Sequence, residues 1–339
     1  MGDKVAVLLC GYGEVEEYDE FADYNERSFR LLVSKSIKFP DFSIPFLSRR
    51  LERAQRKEWH AANHYHSPHN DIFERQRMGI EKELRETYGD DVAVFKTFNF
   101  VPPYLPEQVL REIRAQGFEK LVVYPWLVVD SVFTSGLALE QINKAIASDP
   151  SWIKDMRYLP SFWDRQAFQQ RLTDQIEEGI RPLLERYAPI QIGVVLCLHG
   201  CPHESKGYEM GVRDSEALFY ALHEKLIGNY TLSTPVWMNH PVPGKWTTPD
   251  VDQAAKNLMT LGAKALLFAP IGFVTENHET QLDIGYTIDK VKDQVECVHL
   301  PTLNDDAELL RMGAGWIEPL IEEPVSYTHL TLPTRCHRC

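Results

Sequence analysis

Short apolar runs rich in β-branched residues alternate along this chain with longer segments whose apolar residues recur at helical spacing. The strand-like runs are residues 5–9, 92–98, 121–124, 192–198, 235–238, 265–268 and 295–300. The helix-like segments are residues 71–88, 106–115, 166–187, 215–226 and 251–261. Continuous apolar strands separated by amphipathic helices are typical of parallel sheets that helices cover on both faces. The alternation therefore predicts an α/β fold.

The alternating pattern occurs twice. The paired segments are VLLCGYG (7–13) with VLCLHG (195–200), and VVYPWL (122–127) with LFAPIG (267–272). The 339 residues are enough for two domains of about 150 residues each. We predict two similar Rossmann-like or flavodoxin-like domains, at residues 1–165 and 175–320, each a parallel sheet flanked by helices, with segment 166–187 crossing between them. Open α/β sheets bind ligands beyond the carboxyl ends of their strands, so we expect one shared cleft.

The charge of the chain argues against a nucleic-acid partner. There are 36 Lys and Arg against 49 Asp and Glu, a formal net charge of −13. An acidic protein repels phosphate backbones and attracts cations. The first residues show no signal-peptide pattern, and the apolar stretch 121–133, broken by Pro125 and Asp130, is too short to span a bilayer. We expect a cytoplasmic protein, at most peripheral at a membrane.

The six cysteines are expected to be reduced thiols, as in most cytosolic proteins. Cys197 and Cys201 are separated by three residues, which is a weak metal-binding spacing. Near the end of the chain, the stretch VSYTHLTLPT resembles the translation of a sequencing-library adapter. We therefore interpret residues 325–339 as a non-native tail and exclude them from fold reasoning.

The first candidate for chemistry is His199, in the sequence LHGCP (198–202) directly after a buried strand. A histidine at the carboxyl end of a parallel strand lies where α/β folds bind ligands. An imidazole there can accept a proton near neutral pH or ligate a metal. A histidine satisfied by the loop backbone would give the same pattern, so position alone leaves both interpretations open.

A second candidate segment, PIGFVTENHETQLD (270–283), follows another buried strand. We predict a helix from about Thr275 onward. On that helix Glu276, Glu279 and Asp283 would share one face. The helix dipole favours acidic residues near a helix N-terminus, so a solvent-exposed acidic turn is the plain alternative. The apolar turn before the three residues instead favours the mouth of a cleft, where carboxylates can bind a metal.

A histidine cluster precedes the helix-like segment 71–88, and its members are His60, His64, His66 and His69. Histidines at such spacing can bind a metal. The segment is polar, and Pro68 indicates a loop. A solvated loop is therefore the favoured interpretation.

The segment IKFPDFSIPFL (37–47) has three phenylalanines, two prolines and few charges. This composition does not favour a helix. It fits either core packing or an apolar lip that covers a flat hydrophobic ligand, with Phe42 as a candidate contact. The flanking arginines can pair with ligand carboxylates or be ordinary surface charges, and they are Arg27, Arg30, Arg49 and Arg50.

Together these motifs resemble those of the ferrochelatases, enzymes that insert ferrous iron into a porphyrin. The LHGCP loop is similar to the family's HxxP-type loop, and His199 matches its catalytic histidine. Residues 270–283 match the family pattern P-x-[GA]-F-x-x-[DE]-x-x-E-T-x-x-[DE], with Glu279 at the active-site glutamate. The resemblance implies that His199 and Glu279 are catalytic and that Glu276 and Asp283 join them in binding the metal.

Weaker matches follow the chain to about residue 320. LLCGYG (8–13) resembles the family's first strand and turn, with Tyr12 facing the pocket. The other matches are Ser67-Pro68 with Ile72 and Gln76, Tyr124-Pro125 with Ser131, and Trp246 with Pro249-Asp250. The resemblance implies that porphyrin contacts come from Tyr12, Ser131 and Trp246, joined by Arg30 and Phe42 at the aromatic segment.

The chain departs from the family pattern beside the key glutamate. Asn277 and His278 stand where a histidine and then an apolar residue are usual. Thr287 stands one turn beyond Asp283, where the family has a further acidic residue. The acidic ridge that would carry protons out or metal in is therefore shorter than usual.

The resemblance implies a lyase of heme biosynthesis that inserts Fe²⁺ into protoporphyrin IX or coproporphyrin III and releases two protons. Its partners would be porphyrin and ferrous iron, the iron being a substrate, with no tightly bound cofactor and no nucleic acid. The iron–sulfur cysteines of some members would fall where the adapter-like tail stands, and no signal indicates an oligomeric state. Two alternatives stay open: cobalt or nickel insertion into another tetrapyrrole, with a second histidine from His278 or from residues 64–69, and a non-catalytic porphyrin or metal carrier of the same fold.

Overall fold

Two parallel sheets form the framework of the protein. The computed structural model describes residues 4–16, 21–36, 40–61, 64–202, 210–232, 234–239 and 245–322. The strands of the first sheet are β1 (Val5–Gly11), β2 (Val92–Phe98), β3 (Lys120–Pro125) and β4 (Asp155–Tyr158). Those of the second are β5 (Ile192–His199), β6 (Thr231–Leu232), β7 (Val236–Met238), β8 (Ala265–Ala269) and β9 (Glu296–His299).

The two sheets share one strand order. The first runs β2-β1-β3-β4 and the second β6-β5-β8-β9, with β7 also paired to β5. All these pairs are parallel. In the first sheet β1 lies between β2 and β3, and in the second β5 lies between β6 and β8, an arrangement like that of flavodoxin-like folds. The predicted α/β class with two similar parallel sheets is therefore confirmed.

Helices cover the sheets on both faces. They are α1 (Phe21–Ser36), α2 (Ile44–Ala61), α3 (His69–Tyr88), α4 (Pro106–Ala115), α5 (Ser135–Ser148), α6 (Gln166–Leu184), α7 (Val212–Leu226), α8 (Val251–Thr260), α9 (Ile284–Val291) and α10 (Ala307–Glu322). Within the described residues, none has the length and apolar character needed to cross a bilayer. Along β1, Val7 and Leu9 belong to a core that includes residues of α3 and α10, whereas Leu8 and Cys10 pack with α4 and α5. Burial on both faces explains the continuous apolar strands.

The C-terminal helix α10 packs against the first half of the chain. A Cβ at Gly79 of α3 would overlap Leu310 Cδ1. A Cβ at Gly313 of α10 would lie 2.7 Å from Trp126 Cη2. These glycines allow the close approach of α10 to the first sheet, although residues 307–322 follow the second sheet in sequence. The predicted domain boundaries, 1–165 and 175–320, stay a prediction.

The aromatic segment is largely helical, contrary to the prediction. Asp41–Ser43 forms a 3₁₀ turn and α2 begins at Ile44, while residues 37–39 lie outside the described residues. Pro45 is tolerated because the first turn of a helix has no intrahelical partner for the N–H that proline lacks. Phe42 and Phe46 are 86% and 70% exposed, so these two side chains lie on the surface, whereas Ile44 between them is buried. The predicted tail, 325–339, lies outside the described residues.

Asp306 caps α10 and ties it to α6. Its Oδ1 accepts hydrogen bonds from the backbone N–H groups of Leu309 (3.0 Å) and Glu308 (3.1 Å), and its Oδ2 lies 2.9 Å from Arg171 Nη2. We expect Asp306→Ala to lower the free energy of unfolding by about 1–2 kcal/mol, because a lost N-cap leaves helix N–H groups without their acceptor. Urea unfolding at pH 7 measures this change.

The same carboxylate makes stability depend on pH. Partial burial alone would raise its pKa, but hydrogen bonds from Arg171 and from the Leu309 backbone outweigh burial and lower the pKa of Asp306. Its stabilising contribution is therefore present above the unfolded pKa of about 3.9 and is lost as the pH falls through the lower folded value. The deficit of Asp306→Asn relative to wild type should be largest at neutral pH and shrink below about pH 4. A stability deficit of Asp306→Asn that persists in acid would contradict this. The control is Asp305→Asn, at the exposed pair with Arg75, which should change the free energy of unfolding by less than about 1 kcal/mol.

Candidate active site

The carboxyl ends of strands from both sheets open into one cavity of about 280 Å³. The turns after β1, β3, β5 and β8 line it, together with residues of α1 and the start of α3. Its chemically active lining includes Tyr12, Glu14, His69, Ser131, His199, His278 and Glu279. The cavity thus lies where open α/β sheets bind ligands.

His199 is the last residue of β5, and glycines let neighbouring turns pack against it. A Cβ at Gly272 would lie 3.0 Å from the His199 backbone nitrogen, and a Cβ at Gly200 would overlap the Met238 carbonyl oxygen. The turn after β8 therefore lies directly against the end of β5. The Phe273 ring packs on the imidazole with ring centroids 5.8 Å apart, and 42% of the His199 side chain stays exposed.

Glu279 faces His199 across these turns. Its Oε2 lies 3.7 Å from His199 Nε2, and 11% of the Glu279 side chain is exposed. This distance is too long for a hydrogen bond but lies within the 4 Å range of an ion pair when the imidazole carries a charge. A carboxylate at this distance can orient the imidazole and attract a positive charge that forms on it.

We expect Gly200→Ala to lower the free energy of unfolding by about 1–3 kcal/mol, because overpacking forces the backbone to shift. The added Cβ would overlap the carbonyl oxygen of Met238, which cannot swing away as a flexible side chain would. Gly285→Ala on α9 is the control, since nothing lies within 4 Å of its Cβ, and it should raise stability by about 0.5–1 kcal/mol. Thermal and urea unfolding measure the stability of both variants. Equal changes in the free energy of unfolding would show that Gly200 does not pack tightly against the Met238 carbonyl.

The helix that follows β8 begins later than the sequence predicts. Asn277 Oδ1 accepts a hydrogen bond from the Thr280 N–H at 2.9 Å, and Thr280 Oγ1 accepts one from the Asn277 N–H at 3.0 Å. This reciprocal capping starts the helix after Asn277, and a π-helical turn (Glu279–Asp283) leads into α9. Glu276 precedes the helix, so the prediction that it shares a helical face with Glu279 was wrong.

Glu276 and Asp283 flank Glu279 but do not belong to the described lining of the cavity. The Glu276 N–H donates to Asn304 Oδ1 at 3.0 Å, and its carboxylate accepts from the Gln281 side chain. Partial burial raises the pKa of Glu276. Asp283 is half-buried at the end of the π-helical turn. Their roles at the metal stay predictions.

Two of the predicted porphyrin contacts, Tyr12 and Ser131, line the cavity. The Tyr12 ring packs edge-on against Phe100, with ring centroids 5.1 Å apart. Burial and then the nearby Glu279 carboxylate raise the pKa of Tyr12 above its ordinary value. Tyr12 is therefore a neutral phenol that can donate a hydrogen bond into the cavity.

The other three predicted contacts are not among the described residues that line the cavity. Arg30 lies on α1, where it pairs with Glu26 at 2.6 Å. Phe42 is a surface side chain. Trp246 is half-buried and forms an isolated bridge with Pro202, beyond the end of β5. Their contacts with substrate stay predictions.

The cavity holds a second carboxylate–histidine pair, which the sequence did not reveal. Glu14 contacts His278 Nδ1 through Oε1 and Ser67 Oγ through Oε2, and its Oε2 accepts the His278 N–H at 3.1 Å. Burial alone would raise the pKa of Glu14 and lower that of His278. Their mutual attraction outweighs burial, lowers the pKa of Glu14 and raises the pKa of His278 to about 10. No local pattern could reveal a pair whose members are 264 residues apart.

The described histidines before α3 and at its start differ in their surroundings. His64 and His66 are exposed, as the solvated-loop interpretation expects, whereas His69 is buried at the start of α3 and lines the cavity. Burial lowers the pKa of His69. The side chain of His60 lies outside the described part of the chain. Among the side chains that the structure describes, no group of three or more His, Cys, Asp or Glu could hold a metal ion.

Sequence comparison connects the chain with one enzyme family. The Ferrochelatase family model matches residues 4–319. The ferrochelatase of Synechococcus elongatus is 24% identical over 329 residues, which cover 95% of this chain and 84% of that protein. The ferrochelatase of Gloeothece citriformis is 26% identical over 281 residues, covering 79% of this chain and 70% of that protein.

The fold is also found in a solved structure. SirB from Bacillus subtilis, solved with Fe³⁺, superposes with a TM-score of 0.51 at 10% identity, covering 94% of this chain and 96% of that chain. Two parallel sheets with a common cavity at their strand ends define an α/β protein of the chelatase class. The chain belongs to the ferrochelatase family, whose members are metal-chelatase lyases of heme biosynthesis. The predicted family and the predicted enzyme class are confirmed.

Proposed function

We propose that this protein inserts Fe²⁺ into a porphyrin and releases the two protons of the pyrrole nitrogens. The observation that carries the proposal is the 3.7 Å separation of His199 Nε2 and Glu279 Oε2 at the cavity wall. Removing a pyrrole proton needs a positioned base, and the charge formed on that base needs stabilisation. The family implies porphyrin and metal substrates. In this pair His199 supplies the base and Glu279 supplies the stabilisation of its charge.

In the proposed reaction His199 accepts the two pyrrole protons one after the other and releases the first outward before it takes the second, because imidazole is the side chain whose protonation changes near neutral pH. Glu279 then stabilises the imidazolium, since a nearby carboxylate attracts it strongly where water is excluded. The carboxylate also fixes the orientation of the ring. Tyr12, which follows β1 in the first sheet, contacts the macrocycle or the metal from the opposite side.

Glu276 and Asp283 are proposed to guide Fe²⁺ inward and protons outward. They lie three residues before and four residues after Glu279. Hard carboxylate oxygens suit divalent iron and hold it loosely. A loose hold is what a metal that must leave for the porphyrin requires.

The cavity is proposed to bend the porphyrin. A planar macrocycle hides its nitrogen lone pairs, and bending exposes them. Binding energy from the rest of the ligand can supply that strain. Ser131 contacts the macrocycle within the cavity, and Arg30, Phe42 and Trp246 contact its periphery. The substrate is protoporphyrin IX or coproporphyrin III, which differ in their number of propionates.

An anaerobic insertion assay tests the proposal. Each porphyrin is mixed with Fe²⁺ and protein, and the absorption band of the metalloporphyrin is followed. Iron insertion into one of the two supports the proposal and identifies the substrate. Binding of both porphyrins without any insertion of iron would contradict it and favour a carrier.

Insertion of cobalt or nickel into another tetrapyrrole is the alternative, and it would use a second histidine at the metal. The sequence candidates for that histidine were His278 and the histidines of residues 64–69. The Nδ1 of His278 is engaged by Glu14, whereas His69 lines the cavity. Competition between Fe²⁺, Co²⁺ and Ni²⁺ in the same assay distinguishes the two activities. Preference for Co²⁺ or Ni²⁺ would favour the alternative.

A further inference from the structure

We propose that Glu14 is a positioning residue whose carboxylate holds the backbone at His278 and thereby keeps Glu279 in place beside His199. The inference rests on the function proposed above for Glu279 and His199. Glu14 acts through Glu279 and needs no contact with porphyrin or iron.

Glu14 joins the two halves of the chain at the cavity wall. Its Oε2 accepts the His278 backbone N–H at 3.1 Å, and its Oε1 contacts His278 Nδ1. Both contacts fall on the residue directly before Glu279. They therefore restrain the position and the rotation of the peptide from which the Glu279 side chain extends.

Glu14 is itself held firmly by the first half of the chain. Asn70, in the first turn of α3, donates from Nδ2 to the Glu14 carbonyl oxygen at 2.6 Å and accepts the Glu14 N–H at 3.1 Å. The Ser67 hydroxyl donates to Glu14 Oε2. Gly13 precedes it with φ of 78°, and a Cβ there would lie 2.5 Å from Phe98 Cβ. A carboxylate that Asn70 fixes at its backbone and Ser67 fixes at Oε2 can set the position of what it binds.

Packing alone does not explain a carboxylate at this position. Glu14 is only 6% exposed. The desolvation of a buried ion pair can exceed the attraction between its charges, and apolar replacements are often neutral or stabilising. An apolar side chain, however, cannot accept the His278 N–H. The hydrogen bonds from His278 to the Glu14 carboxylate fix the position of His278, and the proposed proton transfer requires Glu279, the next residue, to be held in place.

Small displacements of Glu279 should be costly, because misplacing a reacting group by about 1 Å can lower a rate by about 10²-fold. We therefore expect Glu14→Leu to lower kcat by about 10²-fold. Glu14→Gln keeps one oxygen as acceptor but loses the charge, and should lower kcat by about tenfold. The porphyrin KM should stay within about twofold in both, because porphyrin binding is left intact. Should Glu14→Leu fail to fold, Glu14→Gln carries the test.

Asp252→Asn is the matched control. The Asp252 carboxylate accepts from Thr287 Oγ1 and pairs with Lys290, both on α9. The substitution thus removes a charged tether from the helix that follows Glu279 without touching His278. Its kcat should stay within about twofold of wild type. A loss as large as that of Glu14→Gln would overturn the proposal, because general loosening of α9 would then explain both.

Combining substitutions separates positioning from general destabilisation. If Glu14 acts through Glu279, adding Glu14→Gln to Glu279→Gln should lower kcat by less than about twofold. The proposal would be overturned if Glu14→Gln lowered kcat as much in the Glu279→Gln variant as it does in the wild-type protein.

An NMR measurement decides the same point without turnover. In protein labelled with ¹⁵N-histidine, Glu14→Gln should shift the His199 ring resonances in the same direction as Glu279→Gln, because both weaken the carboxylate field at the imidazole. Asp252→Asn should leave them in place. Unshifted His199 resonances in Glu14→Gln would overturn the positioning role even if the wild-type protein inserted no iron. Absence of insertion by wild type would overturn the proposed function instead.

Discussion

His199→Ala is expected to lower kcat for Fe²⁺ insertion by about 10²-fold or more, which is the usual contribution of a positioned general base. The imidazole stands at the carboxyl end of β5 with 42% of its side chain exposed. Alanine at this position cannot accept the pyrrole proton. Initial rates of anaerobic insertion at saturating porphyrin measure the effect.

The control for this substitution is His66→Ala. His66 is exposed in the loop before α3 and does not belong to the described cavity lining. Its replacement should leave kcat at the wild-type value. An active, folded His199→Ala variant with nearly wild-type turnover would remove the role of base from His199.

Glu279→Gln should lower kcat by about 10²–10³-fold, because loss of one preorganised electrostatic group near the reacting atoms has an effect of this size. The amide has nearly the shape of the carboxylate, so porphyrin binding should be kept. The charge that stabilises an imidazolium 3.7 Å away is lost. Quenching of protein fluorescence by porphyrin measures binding, and the anaerobic assay measures turnover.

Asp289→Asn is the matched control for the glutamate. Asp289 lies on α9, after the π-helical turn, and pairs with Lys292 at 2.6 Å on the surface. Its replacement should change neither binding nor turnover. If Glu279→Gln instead abolishes porphyrin binding, Glu279 shapes the cavity and does not take part in proton transfer.

The strands could be predicted because burial on both faces leaves a continuous apolar run. Every residue of β1 is buried, and so is every residue of β8. β4, which has the sequence DMRY, escaped prediction because two of its four residues are charged and it contains no apolar run. An apolar run is the signal on which such predictions depend.

Four helices, α1, α2, α5 and α10, were not predicted. In α2 the aromatic start and Pro45 concealed a helix, although proline in the first turn does not oppose one. The start of the helix after β8 was misplaced for a related reason. The reciprocal hydrogen bonds of Asn277 and Thr280 decide where the helix begins. The spacing of apolar and acidic residues does not indicate which residue caps a helix.

The meeting of His199 and Glu279 was half predictable. Each follows a buried strand, and the carboxyl ends of parallel strands lie at one edge of a sheet. The residues of β5 and β8 do not by themselves show whether the two strands are neighbours in the sheet. The pairing of β5 with β8, and the glycine at position 272 that lets the turns touch, bring the two side chains together.

By itself the sequence determined the α/β class, the two-fold repeat of its sheets and the strand ends from which chemistry-bearing residues extend, because local apolar spacing follows directly from which faces are buried. Only the tertiary structure decided the helix phase around Glu279, the return of α10 to the first sheet and the contact of Glu14 with His278. Those features depend on groups that are far apart in the chain, whose approach is set by the packing of the whole core and leaves no periodic trace in the residues themselves.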